Sequence, residues 1–321
     1  MVSVTSFFHG KLPQDASVRL LQSAWQTSPQ GRWGAGARLD ISGRNAGADA
    51  VSAIMQIILD AKGNASVAIH APQATARVGT GDGDDTIVVN AREARIHSGS
   101  GDDIVDVTVA NDAGGQVSYV NAGDGDDIVN VKAISGRPLL VHGGAGNDAI
   151  SIEAQTALMG IKGGSGDDTI DIVSEHGVVG VFGGEGDDTI SIEATAIHLV
   201  KGGRGDDHIV LNNTRGGLSS IFLAEGDGND IVETSGPLEI FRTSADGTRG
   251  MNDATITRMD DGTFAIAFAN SNDTLIVKLS GVMAEADEIV LDHDPVGGAM
   301  IIRPAGSDVS TTFVTSFTRA E

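Results

Sequence analysis

Residues 163–172 read GGSGDDTIDI, and the phrase returns as GGEGDDTISI at 183–192 and GGRGDDHIVL at 202–211. Looser copies run outward on both sides until eight turns of the form x-G-x-G-[DN]-D are counted, ending at Asp85, Asp103, Asp127, Asp148, Asp168, Asp188, Asp207 and Asp230. Successive aspartates lie 18, 24, 21, 20, 20, 19 and 23 residues apart. A repeat of this period marks a stacked architecture, in which each unit buries its apolar face only against its neighbours. After each turn the apolar residues alternate, as at Ile150/Ile152, Ile170/Ile172, Ile190/Ile192 and Ile209/Leu211. That is the pattern of a short strand with one buried face. A second apolar patch follows about ten residues later, at Leu140/Val141, Ile161, Val181/Phe182, Leu199/Val200 and Ile221/Phe222. One repeat is therefore one coil: turn, strand, looser turn, strand.

Stacked coils predict an all-β fold, a right-handed parallel β-roll of two sheets with the aspartate turns along one edge. Strands in such a stack lie about 4.8 Å apart. Facing carboxylates at that spacing repel by roughly 1 kcal/mol in water and roughly 3 kcal/mol at a protein-surface dielectric. Eight turns leave seven such gaps. A hard dication between turns removes the repulsion, because calcium accepts carboxylate and carbonyl oxygens in flexible geometry. About seven calcium ions are expected on this count.

The turns resemble the nonapeptide G-G-x-G-x-D-x-U-x of the RTX (repeats-in-toxin) family, over about half of the chain. The resemblance implies calcium at the turns. The side-chain ligands would be the eight aspartates named above. Backbone carbonyls would come from Gly81, Gly83, Gly99, Gly101, Gly123, Gly125, Gly144, Gly146, Gly164, Gly166, Gly184, Gly186, Gly203, Gly205, Gly226 and Gly228. Position one is glycine only at Gly143, Gly163, Gly183 and Gly202; elsewhere it is Thr80, Ser98, Ala122 or Glu225. Each motif is followed by a half-coil without one, so calcium is expected along one edge only.

Other readings of the acidic turns fare less well. Disorder leaves the apolar alternation unexplained. An EF-hand loop counted from Asp82 would need glycine at its sixth position, which is Ile87. Paired aspartates as a glycosidase acid and base would mark one place, whereas this doublet recurs. A metal-free solenoid with solvated acidic turns stays open as an alternative.

Composition fits a calcium-dependent extracellular protein. Net charge is −23, from 44 acidic and 21 basic residues, and seven dications would bring it near −9. Such a charge disfavours nucleic acid as a partner. There is no cysteine, so no disulfide or thiolate site contributes. Calcium sites of extracellular modules bind at about 10⁻⁴ to 10⁻³ M, so they would fill outside a cell and not inside. Folding would then follow export, because metal-binding free energy is folding free energy. MVSVTSFFHGKLPQ at 1–14 lacks the basic start and apolar run of a signal peptide. The tail VSTTFVTSFTRAE at 309–321 resembles the uncleaved C-terminal signal that RTX proteins present to type I exporters. A last edge strand is the other reading of that tail.

Three regions are expected: an N-terminal cap at 1–75, the eight-coil roll at 76–234, and a β-rich C-terminal cap with the export signal at 235–321. The first holds a predicted helix from Asp15 to Ser28, with Val18, Leu21 and Trp25 on one face. Asp49 marks a decayed copy of the motif, so the stack is expected to begin near Leu39, with a ligand-free coil around Lys62 to Ile69. Beyond the roll, Phe264, Ile266 and Phe268 alternate in a strand pattern. Asp253 and Asp273 continue the spacing without most turn glycines, so weak or absent metal sites are expected there.

No H-E-x-x-H or G-x-S-x-G signature is present, and the chain is read as not an enzyme. His97 and His142 precede turns, but their counterparts in other coils are unrelated residues. A membrane-active RTX toxin or bacteriocin-like protein is one alternative, although the best candidate stretch, the short AIMQIILDA near Ile57, falls well short of a membrane span. An ice-binding roll is another, but the turn face carries mixed and charged residues. A non-catalytic accessory of a secreted enzyme is a third. The main expectation is a structural, adhesion or interaction module. Its outward row of Asp84, Asp102, Asp126, Asp167, Asp187 and Asp206 could bridge through calcium to anionic polysaccharide or a cell-surface matrix.

Overall fold

The computed structural model describes residues 17–20, 37–42, 54–110, 117–135, 139–155, 160–245, 250–251, 254–269, 271–286, 288–293, 298–307 and 314–318. The protein is nearly all β, a parallel solenoid in which each coil lays one strand on a front sheet and one on a back sheet. The chain divides into two compact units, residues 1–165 and 166–321. In the first, the front sheet runs in parallel from Ala37–Ser42 through Ala65–His70, Thr86–Ala91, Ile104–Val109 and Ile128–Ala133 to Ala149–Ala154. Its back sheet runs from Ile54–Lys62 to Gly160–Ser165 with the turn glycines in register, Gly81 beside Gly99 and Gly123 beside Gly144. Between the sheets lie columns of one residue per coil. Ile87, Val105, Val129 and Ile150 form one, and Val78, Ile96, Val120, Val141 and Ile161 another, all at most 4% exposed.

The second unit repeats the plan and then closes it. Its front strands run from Thr169–Ser174 to Asn229–Thr234 and on to Thr274–Leu279, where the hairpin Ala254–Arg258 and Phe264–Phe268 adds antiparallel strands. Its back strands end at Leu238–Thr243, against which Met300–Ile302 packs antiparallel. Phe264, Ile266 and Phe268 are buried as their alternation requires. Antiparallel additions of this kind cover a sheet edge that would otherwise invite pairing. The only helix among the described residues is the five-residue Gly281–Glu285.

The ends differ in part from expectation. Within the segment Asp15 to Ser28 predicted as a helix, Ser17–Leu20 is instead a strand, antiparallel to Ala37–Ser42. Four residues with Val18 and Leu20 two apart satisfy a strand as well as a helix, and a neighbouring strand decides between them. The rest of that segment, Asp49 and Asp253 lie outside the described residues. The stack does include Leu39, and Gly63 and Asn64 form the turn of the coil around Lys62 to Ile69. In the tail, Val314–Thr318 is a strand paired antiparallel with Glu288–Asp292.

Candidate metal site

Each turn is forced by close backbone approach. At Gly123, φ is +127°, and a Cβ there would lie 1.9 Å from the Gly99 carbonyl oxygen. At Gly125, φ is +132°, and a Cβ would lie 2.2 Å from the oxygen of Gly101. Only glycine lets the turns nest at strand spacing. Nested, they are tied by backbone bonds, such as Gly101 N–H to the Asp124 oxygen and Gly205 N–H to that of Asp227, both 2.7 Å.

This nesting carries the eight predicted aspartates inward, to at most 3% exposure. Asp85, Asp103, Asp127 and Asp148 form one row in the first unit; Asp168, Asp188, Asp207 and Asp230 form one in the second. In each row the Oδ1 of one aspartate accepts the backbone N–H of the aspartate one coil earlier: Asp85 to Asp103 at 2.7 Å, Asp103 to Asp127 at 2.8 Å, Asp168 to Asp188 and Asp188 to Asp207 at 2.9 Å, Asp207 to Asp230 at 3.1 Å. The neighbouring outer residues make a ladder in the opposite sense. Asp84 accepts from Asp102 N–H at 3.2 Å, Asp126 from Asn147 N–H at 2.7 Å, and Asp206 from Asn229 N–H at 2.8 Å.

The second carboxylate oxygen is the exception. Oδ2 of Asp85, Asp103, Asp127, Asp188 and Asp207 is buried without a hydrogen-bond donor. A buried anionic oxygen without a partner is costly. Thr80 and Ser98 stand close to two of them, but the hydroxyls donate to the carbonyls of Ser98 and Ala122 at 2.7 and 3.0 Å. Burial accordingly pushes the pKa of Asp103 up to about 7, Asp127 to about 6, Asp188 to about 7, Asp207 to about 8 and Asp230 to about 7. Backbone N–H groups oppose the rise, and neighbouring aspartates add to it. Asp85 is raised by burial too, partly offset by the Ala65 N–H that donates to its Oδ1 at 2.6 Å.

These oxygens face position one of the turn. A Cβ on Gly183 would lie 2.1 Å from Asp188 Oδ2 and 2.7 Å from the carbonyl oxygen of Gly202; one on Gly143 would lie 2.2 Å from Asp148 Oδ2 and 2.8 Å from that of Gly163. Each is an oxygen-lined cradle formed between consecutive coils. Among the described residues no three His, Cys, Asp or Glu side chains converge. A cation here would therefore rest on one or two carboxylates and several carbonyls, a donor set that suits calcium and not a softer metal. The carbonyls sharing the cradle, Gly163 and Gly202, stand at position one, whereas the sequence reading named the second and fourth glycines. The register of the back sheet is what brings them in.

The last turn of the second unit departs from this pattern. Ala224, not Gly226, occupies the column of Gly203, because Glu225 and Gly226 form a two-residue insertion before Asp227. Asp227 is tied to Lys201 at 3.3 Å and to the Ala224 N–H. Burial raises its carboxyl pKa, and those two contacts work against the rise. Asp273 accepts the Gly226 N–H at 2.8 Å. Comparison with protein-family models and with curated proteins gave no match. Among the described residues no helix is long and apolar enough to cross a membrane.

Proposed function

We propose that the protein is a calcium-dependent β-roll of RTX type, exported unfolded and folded by extracellular calcium, with a structural, adhesive or interaction role. The observation that supports it best is the buried, donorless Oδ2 repeated at Asp85, Asp103 and Asp127 and again at Asp188 and Asp207. A dication in the cradles supplies the positive charge that lets neighbouring buried carboxylates ionise together. The chain does the rest: glycine turns nest the coils, one aspartate per coil presents Oδ2 inward, and the N–H ladder fixes each carboxylate in direction. The outer row of Asp84, Asp102, Asp126, Asp167, Asp187 and Asp206 remains exposed for an anionic polysaccharide bridged by further calcium.

A metal-free solenoid is the second reading, favoured by the two N–H ladders, which join the turns without any ion. Calcium titration of the chelated protein, followed by far-UV circular dichroism and equilibrium dialysis, separates the two. The calcium reading expects a cooperative gain of β-structure near millimolar calcium with about seven ions bound. A spectrum already β-rich and indifferent to calcium would leave the metal-free solenoid, and the argument for export would go with it.

A further inference from the structure

Position one of the turn is an inward-facing column of the back sheet. In the second unit its register runs Gly183, Gly202, Leu223, Arg242. At the two glycines the site of a Cβ lies 2.1 and 1.9 Å from the Oδ2 of Asp188 and Asp207, so a side chain as large as leucine would fill the cradle. One coil later the column holds Leu223, a side chain large enough to occupy that space, 7% exposed. After another coil the column holds a cation, Arg242, whose side chain is 1% exposed. Counting back from the last glycine pair would have put Glu225 at position one, and the insertion hides the true occupant.

Arg242 is equipped as a permanent internal cation. A guanidinium cannot lose its charge within a protein, and burying one requires partners for it. Its Nη2 lies 4.0 Å from Asp273 Oδ2 and donates to Ser271 Oγ at 3.1 Å; Nη1 donates to Ser244 Oγ at 3.4 Å. The group stacks 4.1 Å from the centre of the Phe268 ring. Asp273 also stands near enough to Asp227 and Asp230 to act on both electrostatically.

We infer that Arg242, beside Asp273, is the chain's own stand-in for the dication at the C-terminal end of the row, and that the turn of Asp230, plugged by Leu223 and with Lys201 already paired to its Asp227, takes up no metal. The inference rests on the calcium reading and goes beyond it by fixing where the row stops. Hydrogen exchange of the full chain in chelator and in calcium tests it, with Arg242→Met and Arg242→Lys alongside. In chelator the wild type should keep protection at 229–243 while 189–213 lose it by about ten-fold or more. Arg242→Met should lose about ten-fold at 229–243 where Arg242→Lys, which keeps the charge, loses about three-fold or less. Equal loss in both variants, or wild-type loss at 229–243 matching that at 189–213, overturns the inference. A calcium count gives a readout that does not depend on the Arg242 variants folding: Asp188→Asn should bind one ion fewer than wild type, and Asp230→Asn the same number. Loss of an ion from Asp230→Asn also overturns it. A wild type that binds no calcium at all removes the calcium reading itself, an outcome distinct from these.

Discussion

At Asp188 a buried carboxylate faces a glycine cradle with no cation of the chain's own against its Oδ2; at Asp227, in the last turn of the same unit, a buried carboxylate lies 3.3 Å from Lys201. Both turns read G-x-G-[DN]-D in sequence. At Asp227 the counter-charge comes from within the chain; at Asp188 none is present, and a bound dication is the source proposed above. The two carboxylates stand at different places, position six of one turn and position three of the other, and the charges acting most strongly on Asp230, at position six of the last turn, are carboxylates. A row built this way would respond to calcium along its length and much less at its end.

The sharpest way to break the comparison is through the glycines. Gly123→Ala sets a Cβ 1.9 Å from a backbone oxygen at φ +127°, whereas Gly226→Ala, at φ +87° within the insertion, meets nothing within 4 Å. The first should cost about 4 kcal/mol or more, in the range reserved for severe backbone or packing damage. The second should cost about 1 kcal/mol, the strain of a left-handed alanine. Urea unfolding in saturating calcium measures both, and similar values would mean the two turns do not differ as described.

Acidity gives the next largest effect. The carboxyls of Asp103, Asp188, Asp207 and Asp230 have folded pKa values near 7 to 8, above the unfolded value of 3.8. The metal-free fold thus binds more protons than the unfolded chain. Its stability is fully present below about pH 4 and is lost as pH rises through the folded values, the reverse of ordinary acid denaturation. In chelator, far-UV circular dichroism should therefore show β-structure gained as pH falls from 8 to 5, each carboxyl that titrates alone adding about 3 kcal/mol of stability. In calcium the dependence should flatten, since bound metal holds the carboxylates ionised. β-structure in chelator that is lost on acidification would show that burial does not govern these groups.

Smallest is the effect of Lys201→Gln, which leaves Asp227 without its ammonium. The lysine is about one-third exposed, so the loss should be about 1 kcal/mol. It should be the same in chelator and in calcium, because this turn carries its own cations. A penalty seen only in chelator would mean that calcium replaces the lysine, and the distinction between the two kinds of turn would close.

Much of this was legible in the sequence. Ile150/Ile152 and Ile190/Ile192 announce the strands, and the eight aspartates announce the row, because nested turns leave little choice of place for a residue at a fixed offset. What was not legible depended on register between coils. Glu225 and Gly226 look like the start of another turn, and only the pairing of Val200 with Ile221, together with the Gly205 N–H bond to the Asp227 carbonyl, reveals the insertion. The opposed N–H ladders of inner and outer aspartates were equally hidden, since neighbours 18 to 24 residues apart give no local signal. At Ser17–Leu20 the span was too short for its period to decide between helix and strand.

Those ladders have a further consequence. Within each row a coil gives one N–H to the coil after it through the inner aspartate and receives the mirror arrangement through the outer one. Every interior coil therefore presents the same two faces, like a brick with one pattern of studs. Excising residues 189–207 would join Asp188 to His208, whose N–H already bonds the Asp188 carbonyl at 2.8 Å. Chain length in such a protein can change by whole courses without redesign, so gene-level duplication or loss of a repeat alters reach while the masonry stays sound.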